Sequence, residues 1–125
     1  MADESANVLL VEDHPHTQFL VQKLLDDHCA CEVADDAQQA FQFAEERVYD
    51  LVLLDIDLGG GPNGVDVLEK LRGMESWSDV PIIALTAYAF PEDRERFLES
   101  GFDAYLSKPF TKEELRGTVD DALDA

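Results

Sequence analysis

The sequence predicts an α/β fold, a doubly wound parallel sheet of five strands with helices on both faces. Short, continuous apolar runs alternate with amphipathic stretches along the chain. Such runs are typical of strands covered on both faces, and regular alternation with helices is typical of parallel sheets. The 125 residues fit one compact domain, and a hydrophobic fraction of 46% is sufficient for its core. We therefore expect one domain over residues 1–125, with no separate output domain.

The first half of the chain contains three predicted strands and two predicted helices. Residues 8–11 form a short apolar run and residues 51–56 form the most strongly apolar one, so both are assigned to buried strands. Residues 31–34 are assigned to a second, weaker strand. The stretches 15–27 and 37–48 carry apolar residues at helical spacing and are assigned to helices.

The second half continues the alternation. Its predicted elements are a glycine-rich loop at 59–64, a helix at 65–74, a strand at 80–87, a helix at 91–100, a strand at 102–107 and a helix at 111–123. Pro91 suits the first turn of its helix, and Gly101 suits the position after its end. Thr111 and Glu114 have the spacing of a capping box, which supports the start of the last helix.

The chain is strongly acidic. Its 28 Asp and Glu residues outnumber its 9 Lys and Arg residues, which gives a formal net charge of −19. Nucleic-acid phosphates and anionic lipids repel such a chain, so we expect neither nucleic acid nor a membrane as a partner. The acids are spread along the sequence. This favours a halophilic adaptation, because high salt screens the repulsion; an acidic mesophilic domain is the alternative.

Several features argue for an ordinary intracellular domain. No apolar run is long enough to span a bilayer, and residues 1–7 carry no signal-peptide pattern, so we expect a cytoplasmic location. Cys29 and Cys31 are interpreted as small residues packed beside the sheet. The three histidines show no metal-ligand spacing and are interpreted as surface or helix-end residues: His14, His16 and His28.

Polar residues stand where the predicted strands end. The first strand ends in Glu12 and Asp13, the third in Asp55 with Asp57 two residues on, the fourth in Thr86, and the fifth in Ser107, Lys108 and Pro109. Ligands of such sheets bind outside the carboxyl ends of the strands. Carboxylate oxygens suit Mg²⁺, and a lysine with a hydroxyl suits the oxygens of a phosphoryl group. The pattern therefore predicts a site for a divalent cation and a phosphoryl group.

The spacing of these residues resembles the response-regulator receiver domains of two-component signalling. The resemblance rests on the acid pair at 12–13, Asp55, Thr86 and the Lys-Pro-Phe run at 108–110, with Tyr105 at the family's aromatic switch position. It covers essentially the whole chain. It implies a single receiver domain over 1–125 with a flavodoxin-like fold, in which the strand order is 2-1-3-4-5.

The resemblance also implies a phosphoryl acceptor and a metal site. Asp55 would accept a phosphoryl group from the phosphohistidine of a histidine kinase or a histidine phosphotransfer protein. Asp13, Asp55 and the backbone carbonyl of Asp57 would bind Mg²⁺, or Mn²⁺ in its place, and Glu12 would act through water. Such a domain catalyses its own phosphorylation and dephosphorylation and does not turn over a separate substrate.

Lys108 and Thr86 would bind the phosphoryl group, and the Lys108–Pro109 peptide is expected to be cis. After transfer, Thr86 would move toward the phosphate and Tyr105 would fill the vacated space. The altered surface of the fourth helix, fifth strand and fifth helix would then regulate a downstream effector protein. Its candidate contacts are Phe90, Arg94, Phe97 and Tyr105, with ordinary packing as the alternative for Phe90 and Phe97.

Two departures from the family pattern concern the flanks of the site. Gly59 replaces the usual proline after the acceptor, and Gly64 lies one residue farther along than is common. Asp57, Ala87 and Tyr88 flank the phosphoryl group. Because tyrosine is bulky and a poor base at neutral pH, we expect Tyr88 to shield the phosphoryl group and self-dephosphorylation to be slow.

Two alternative functions are open. The Asp-x-Asp run at 55–57 resembles that of phosphatases with an aspartyl-phosphate intermediate, although in those enzymes it usually follows the first strand. The other alternative is an interaction module that is not phosphorylated. A phosphatase should hydrolyse a generic phosphomonoester, and an unphosphorylated module should accept no phosphoryl group.

Overall fold

A computed structural model describes residues 6–56, 63–87 and 91–124 of the chain. The strands are β1 Asn7–Val11, β2 Ala30–Ala34, β3 Leu51–Asp55, β4 Ile82–Thr86 and β5 Ala104–Ser107. All of their pairings are parallel, and their order in the sheet is β2-β1-β3-β4-β5. The predicted fold class and strand order are therefore confirmed.

The helices follow the strands in strict alternation. They are α1 Pro15–Leu24, α2 Ala37–Glu46, α3 Gly64–Arg72, α4 Pro91–Ser100 and α5 Lys112–Asp124, with a short 3-10 helix, Glu75–Trp77, between α3 and β4. None of the helices in the described ranges combines the length and the apolar character needed to cross a bilayer.

Some helix boundaries differ from the prediction. The first helix ends at Leu24, before residue 27, because the chain turns there: the N–H groups of His28 and Cys29 both donate to the carbonyl of Leu25. The second helix ends at Glu46 because Arg47 is extended, with φ −142° and ψ 160°. The capping box of Thr111 and Glu114 is present, with hydrogen bonds of 2.9 and 3.1 Å.

The core consists of one hydrophobic cluster on each face of the sheet. Within β3, Val52 and Leu54 belong to the cluster that α2 and α3 cover, whereas Leu51 and Leu53 belong to the opposite cluster. All four side chains are fully buried. This two-sided burial explains why the strand is a continuous apolar run rather than an alternating one.

The cysteines are core residues, as predicted. Cys29 is buried in the second cluster and Cys31 packs against that cluster. Burial raises the pKa of the Cys29 thiol and raises that of Cys31 to about 12, so neither is a thiolate at neutral pH. His28 departs from the surface interpretation: it is buried, with Nε2 2.7 Å from Oδ1 of Asp120 on α5.

Candidate functional site

The carboxyl ends of the strands bring the predicted site residues together. Asp55 is the last residue of β3 and Thr86 the last residue of β4, and both are almost completely buried. Glu12 follows β1 directly, and its N–H donates to the carbonyl of Ala34 at the end of β2. Strands that are covered on both faces thus carry a hydroxyl and two carboxylates into a buried position.

Lys108 reaches this position from the end of β5. Its N–H donates to the carbonyl of Thr86 (2.8 Å), which holds the start of the β5–α5 connection against the end of β4. Its Nζ lies 2.6 Å from Oε1 of Glu12 and 3.4 Å from Oδ1 of Asp55. The lysine therefore contacts both buried carboxylates, and the contact with Glu12 is the closer of the two. The Lys108–Pro109 peptide is cis, as expected.

The electrostatics of the site depend on this lysine. Burial by itself would raise the pKa of Glu12, but hydrogen bonds with Asp55 and Lys108 and the charge of Lys108 hold that pKa below its ordinary value. Burial would likewise lower the pKa of Lys108. The hydrogen bond to Glu12 and the negative charges of Asp55 and Glu12 hold the lysine pKa above its ordinary value instead. Both groups are therefore charged at neutral pH.

Asp13 and His14 complete the cluster on its outer side. Nδ1 of His14 lies 3.0 Å from Oδ1 of Asp13 and 3.4 Å from Oε2 of Glu12. The hydrogen bond with Glu12 and the charges of Asp13 and Glu12 raise the pKa of His14. The sequence interpretation placed His14 at a helix end, where it is, as the residue before α1, but assigned it no metal-ligand spacing. Its position directly after the acid pair was the available signal.

The donor set fits a divalent cation. One ligand atom each from Glu12, Asp13, His14 and Asp55 lies within 4.8 Å of the others. Oδ1 of Asp13 is buried and accepts no hydrogen bond from the described residues, since its contact with His14 lacks hydrogen-bond geometry. A cation would satisfy this oxygen, and carboxylate ligands suit Mg²⁺. The residues that the structure brings together are thus able to hold the predicted metal.

The flanks of the site are described in part. Asp57 and Tyr88 lie outside the described residues, and Ala87 is exposed directly after β4. Asn63 caps α3: its side chain accepts from the N–H of Asp66, and the Asp66 side chain accepts from the N–H of Asn63. The N–H of Gly64 donates to the carbonyl of Ile56 (2.9 Å), so α3 begins against the end of β3.

Tyr105 is a residue of β5, and its ring packs against α4. Its ring stacks on Phe97 at 6.1 Å between centroids, and its hydroxyl is buried without a hydrogen-bond partner among the described residues. Burial and the negative charge of Asp93 raise its pKa. Phe97 is only 2% exposed. It is therefore a core residue, and its assignment as a direct partner contact is wrong. Arg94 is exposed, and Phe90 lies outside the described residues.

Comparisons with known proteins agree on one family. A family model described as the response regulator receiver domain matches residues 8–120. The sensor protein GacS of Pseudomonas syringae is 35% identical over 123 residues, which cover 95% of this chain and 14% of that protein. The KDP operon transcriptional regulatory protein KdpE of Escherichia coli is 38% identical over 118 residues, which cover 94% of this chain and 51% of that protein. The chain thus spans only part of these relatives.

Solved structures give the same result. The receiver domain of a sensor histidine kinase from Pseudomonas aeruginosa, with a magnesium ion coordinated in its active site cleft, has a TM-score of 0.88 and 34% identity; the match covers 97% of this chain and 99% of that one. A chemotaxis protein of Vibrio cholerae has a TM-score of 0.88 and 26% identity, and the match covers 94% and 98% of the two chains.

Proposed function

Since this chain belongs to the response-regulator receiver domains of two-component signalling, we propose that Asp55 accepts a phosphoryl group from a partner's phosphohistidine. The position of Lys108 carries this proposal. An ammonium group 3.4 Å from Oδ1 of a buried aspartate is placed to offset the charge of that aspartate and of a group transferred to it. The donor is a histidine kinase or a histidine phosphotransfer protein, since relatives of this chain include sensor kinases.

In the transfer step, an oxygen of Asp55 forms a bond to phosphorus as the bond between phosphorus and the donor imidazole nitrogen breaks. The bonding electron pair returns to that nitrogen. Lys108 then pairs with a phosphoryl oxygen, and the Thr86 hydroxyl donates a hydrogen bond to another. The attacking group is the Asp55 carboxylate, beside the ammonium group of Lys108.

Asp13, Asp55 and the backbone carbonyl of Asp57 are the proposed ligands of Mg²⁺, with Glu12 acting through water. Mn²⁺ suits the same oxygen ligands. A bound divalent cation would neutralise negative charge on the transferring group. Oδ1 of Asp13, which is buried and accepts no hydrogen bond from the described residues, supports this assignment.

The proposed output is a change in the surface formed by α4, β5 and α5. Movement of Thr86 toward the phosphoryl group would give the Tyr105 ring a second packing position. The Tyr105 hydroxyl is buried without a hydrogen bond from the described residues, and this favours a move to a position where it can form one. With Phe97 in the core, Arg94 and Tyr105 are the described candidates for contact with a downstream effector protein. Slow self-dephosphorylation, from shielding by Tyr88, belongs to the same proposal.

The test is labelling by a small phosphoramidate in the presence of Mg²⁺. Wild type should gain one acid-labile phosphoryl adduct by intact mass spectrometry, and Asp55→Asn should gain none. Asp26→Asn, a change at an exposed aspartate beyond the end of α1, is the matched control and should be labelled like wild type. Undiminished labelling of Asp55→Asn would contradict the acceptor assignment. Steady hydrolysis of a phosphomonoester would favour the phosphatase alternative.

A further inference from the structure

Gly64 touches the backbone of the proposed acceptor. A Cβ atom at this position would lie 2.4 Å from the carbonyl oxygen of Asp55, 2.7 Å from Cα of Ile56 and 3.1 Å from the carbonyl carbon of Asp55. All three atoms belong to the backbone, so no side chain can rotate to make room. Ordinary contacts of a Cβ atom begin near 3.4 Å. A methyl group would therefore force a displacement of about 1 Å.

The requirement at Gly64 concerns space and not backbone conformation. Among the described glycines, only Gly101 has a positive φ, at 118°. Gly64 opens α3 with φ on the side that any L-residue adopts, and alanine is a better helix former than glycine. Glycine is thus the less favourable residue for helix formation. Its advantage at this position is that the start of α3 can approach the Asp55 backbone closely.

A methyl group at position 64 would have to displace either α3 or the end of β3, and these two elements are not held equally firmly. The helix α3 is fixed by Val67, Leu68 and Leu71, which are fully buried in the core. The end of β3 is fixed to β4 by pairing of Asp55 with Leu85, but Asp55 is the last residue of that strand. Gly64 and the Asp55–Ile56 peptide are also joined by the hydrogen bond between the Gly64 N–H and the Ile56 carbonyl.

From this geometry we infer that Gly64 is a positioning residue for Asp55, one that holds the acceptor's backbone so that its carboxylate lies beside Lys108 and within 4.8 Å of a ligand atom of Asp13. The inference rests on the proposed role of Asp55 as phosphoryl acceptor. Misplacing a reacting group by about 1 Å can slow a reaction about 100-fold. Gly64→Ala should therefore impair both phosphoryl transfer and binding of a divalent cation, beyond any effect on stability.

Two other glycines provide matched controls. At Gly73, which follows α3, a Cβ atom would meet its nearest neighbour at 3.5 Å, and at Gly117 in α5 it would meet nothing within 4 Å. Gly73→Ala should leave phosphorylation unchanged. Gly117→Ala should raise the melting temperature, because alanine is the better residue inside a helix. Combining Gly64→Ala with Gly117→Ala offsets a loss of stability without touching the site.

The experiment measures two quantities for wild type, the three single variants and the Gly64→Ala/Gly117→Ala double variant, all well below their melting temperatures. The first is the rate of phosphorylation by a phosphoramidate with Mg²⁺. The second is the dissociation constant of Mn²⁺ without a phosphodonor, from titration calorimetry. Gly64→Ala and the double variant should be phosphorylated about 100-fold more slowly than wild type and should bind Mn²⁺ several-fold more weakly.

A double variant that is phosphorylated within threefold of the wild-type rate, with an unchanged Mn²⁺ dissociation constant, would overturn the inference. Gly64 would then act on stability alone. A wild type that accepts no phosphoryl group would overturn the proposed function instead. In that case the Mn²⁺ dissociation constants test whether Gly64 positions Asp55. Weaker Mn²⁺ binding by the double variant supports the inference, and unchanged binding overturns it.

Discussion

Replacing Lys108 with methionine removes the cation that contacts two buried carboxylates. Glu12 is fully buried and Asp55 is 3% exposed, so neither can exchange the lost ion pair for water. Removing one partner of a buried ion pair costs about 3–5 kcal/mol. Methionine keeps much of the lysine stem, so most of this loss would come from charge and not from packing. We expect Lys108→Met to lower the free energy of unfolding by about 3–5 kcal/mol at pH 7.5.

The pH dependence separates charge from packing. In wild type the pKa of Glu12 is lowered, so its contribution to stability is present above its ordinary pKa of 4.5 and is lost as pH falls through the lowered value. Without Lys108, its charge and its hydrogen bond no longer oppose the effect of burial, so the pKa of Glu12 should rise. The buried negative charge of Glu12 then destabilises the folded variant at neutral pH. This destabilisation decreases as pH falls, because Glu12 becomes protonated. The stability gap between variant and wild type should therefore narrow from pH 7.5 to pH 5.

Urea denaturation at both pH values, with and without millimolar Mg²⁺, measures this gap. Mg²⁺ should stabilise the variant, because the cation supplies positive charge beside the same acids. Adding Glu12→Gln should restore part of the lost stability. Lys23→Met, a change at an exposed lysine of α1, is the control and should cost less than about 1 kcal/mol. A gap that is independent of pH and Mg²⁺, or no larger than that of Lys23→Met, would refute the reasoning.

The remaining predictions concern the net charge and the lifetime of the phosphorylated state. If the net charge of −19 is a halophilic adaptation, the melting temperature should rise from dilute buffer to molar KCl; a melting temperature indifferent to salt would favour an acidic mesophilic domain. If Tyr88 shields the phosphoryl group, phosphorylated wild type should persist well beyond seconds after the donor is removed. Tyr88→Glu should then lose its phosphoryl group about tenfold faster, which corresponds to about 1.4 kcal/mol in the barrier, and an equal decay rate would contradict shielding.

The fold was predictable because its strongest signals are local. A strand buried on both faces must be apolar throughout, as β3 is, and a helix repeats its apolar positions. Helix ends were less accurate, since the turn after Leu24 depends on backbone hydrogen bonds that composition does not encode. The 3-10 helix Glu75–Trp77 was missed because three residues are too few to show a period.

The membership of the site was predictable, but its internal contacts were not. Topology alone places residues that follow parallel strands at one edge, which located Glu12, Asp55 and Lys108 correctly. That the lysine lies closer to Glu12 than to Asp55 depends on side-chain length and rotamer. Phe97 was left between surface contact and core packing because a single aromatic residue does not reveal which face of its helix is covered.

The ion pair between Lys108 and Glu12 joins residues 96 positions apart in the chain. Synthesis runs from the amino terminus, so strands that carry the acids are complete long before the lysine that opposes their charge. Until β5 adds to the edge of the sheet, a nascent chain must keep these carboxylates hydrated or protonated. Closing so long a loop is entropically costly, and the ion pair that offsets this cost forms late in folding. Addition of the fifth strand therefore completes the sheet and brings in the lysine that neutralises the buried acids. Completion of the chain is thereby coupled to assembly of the site.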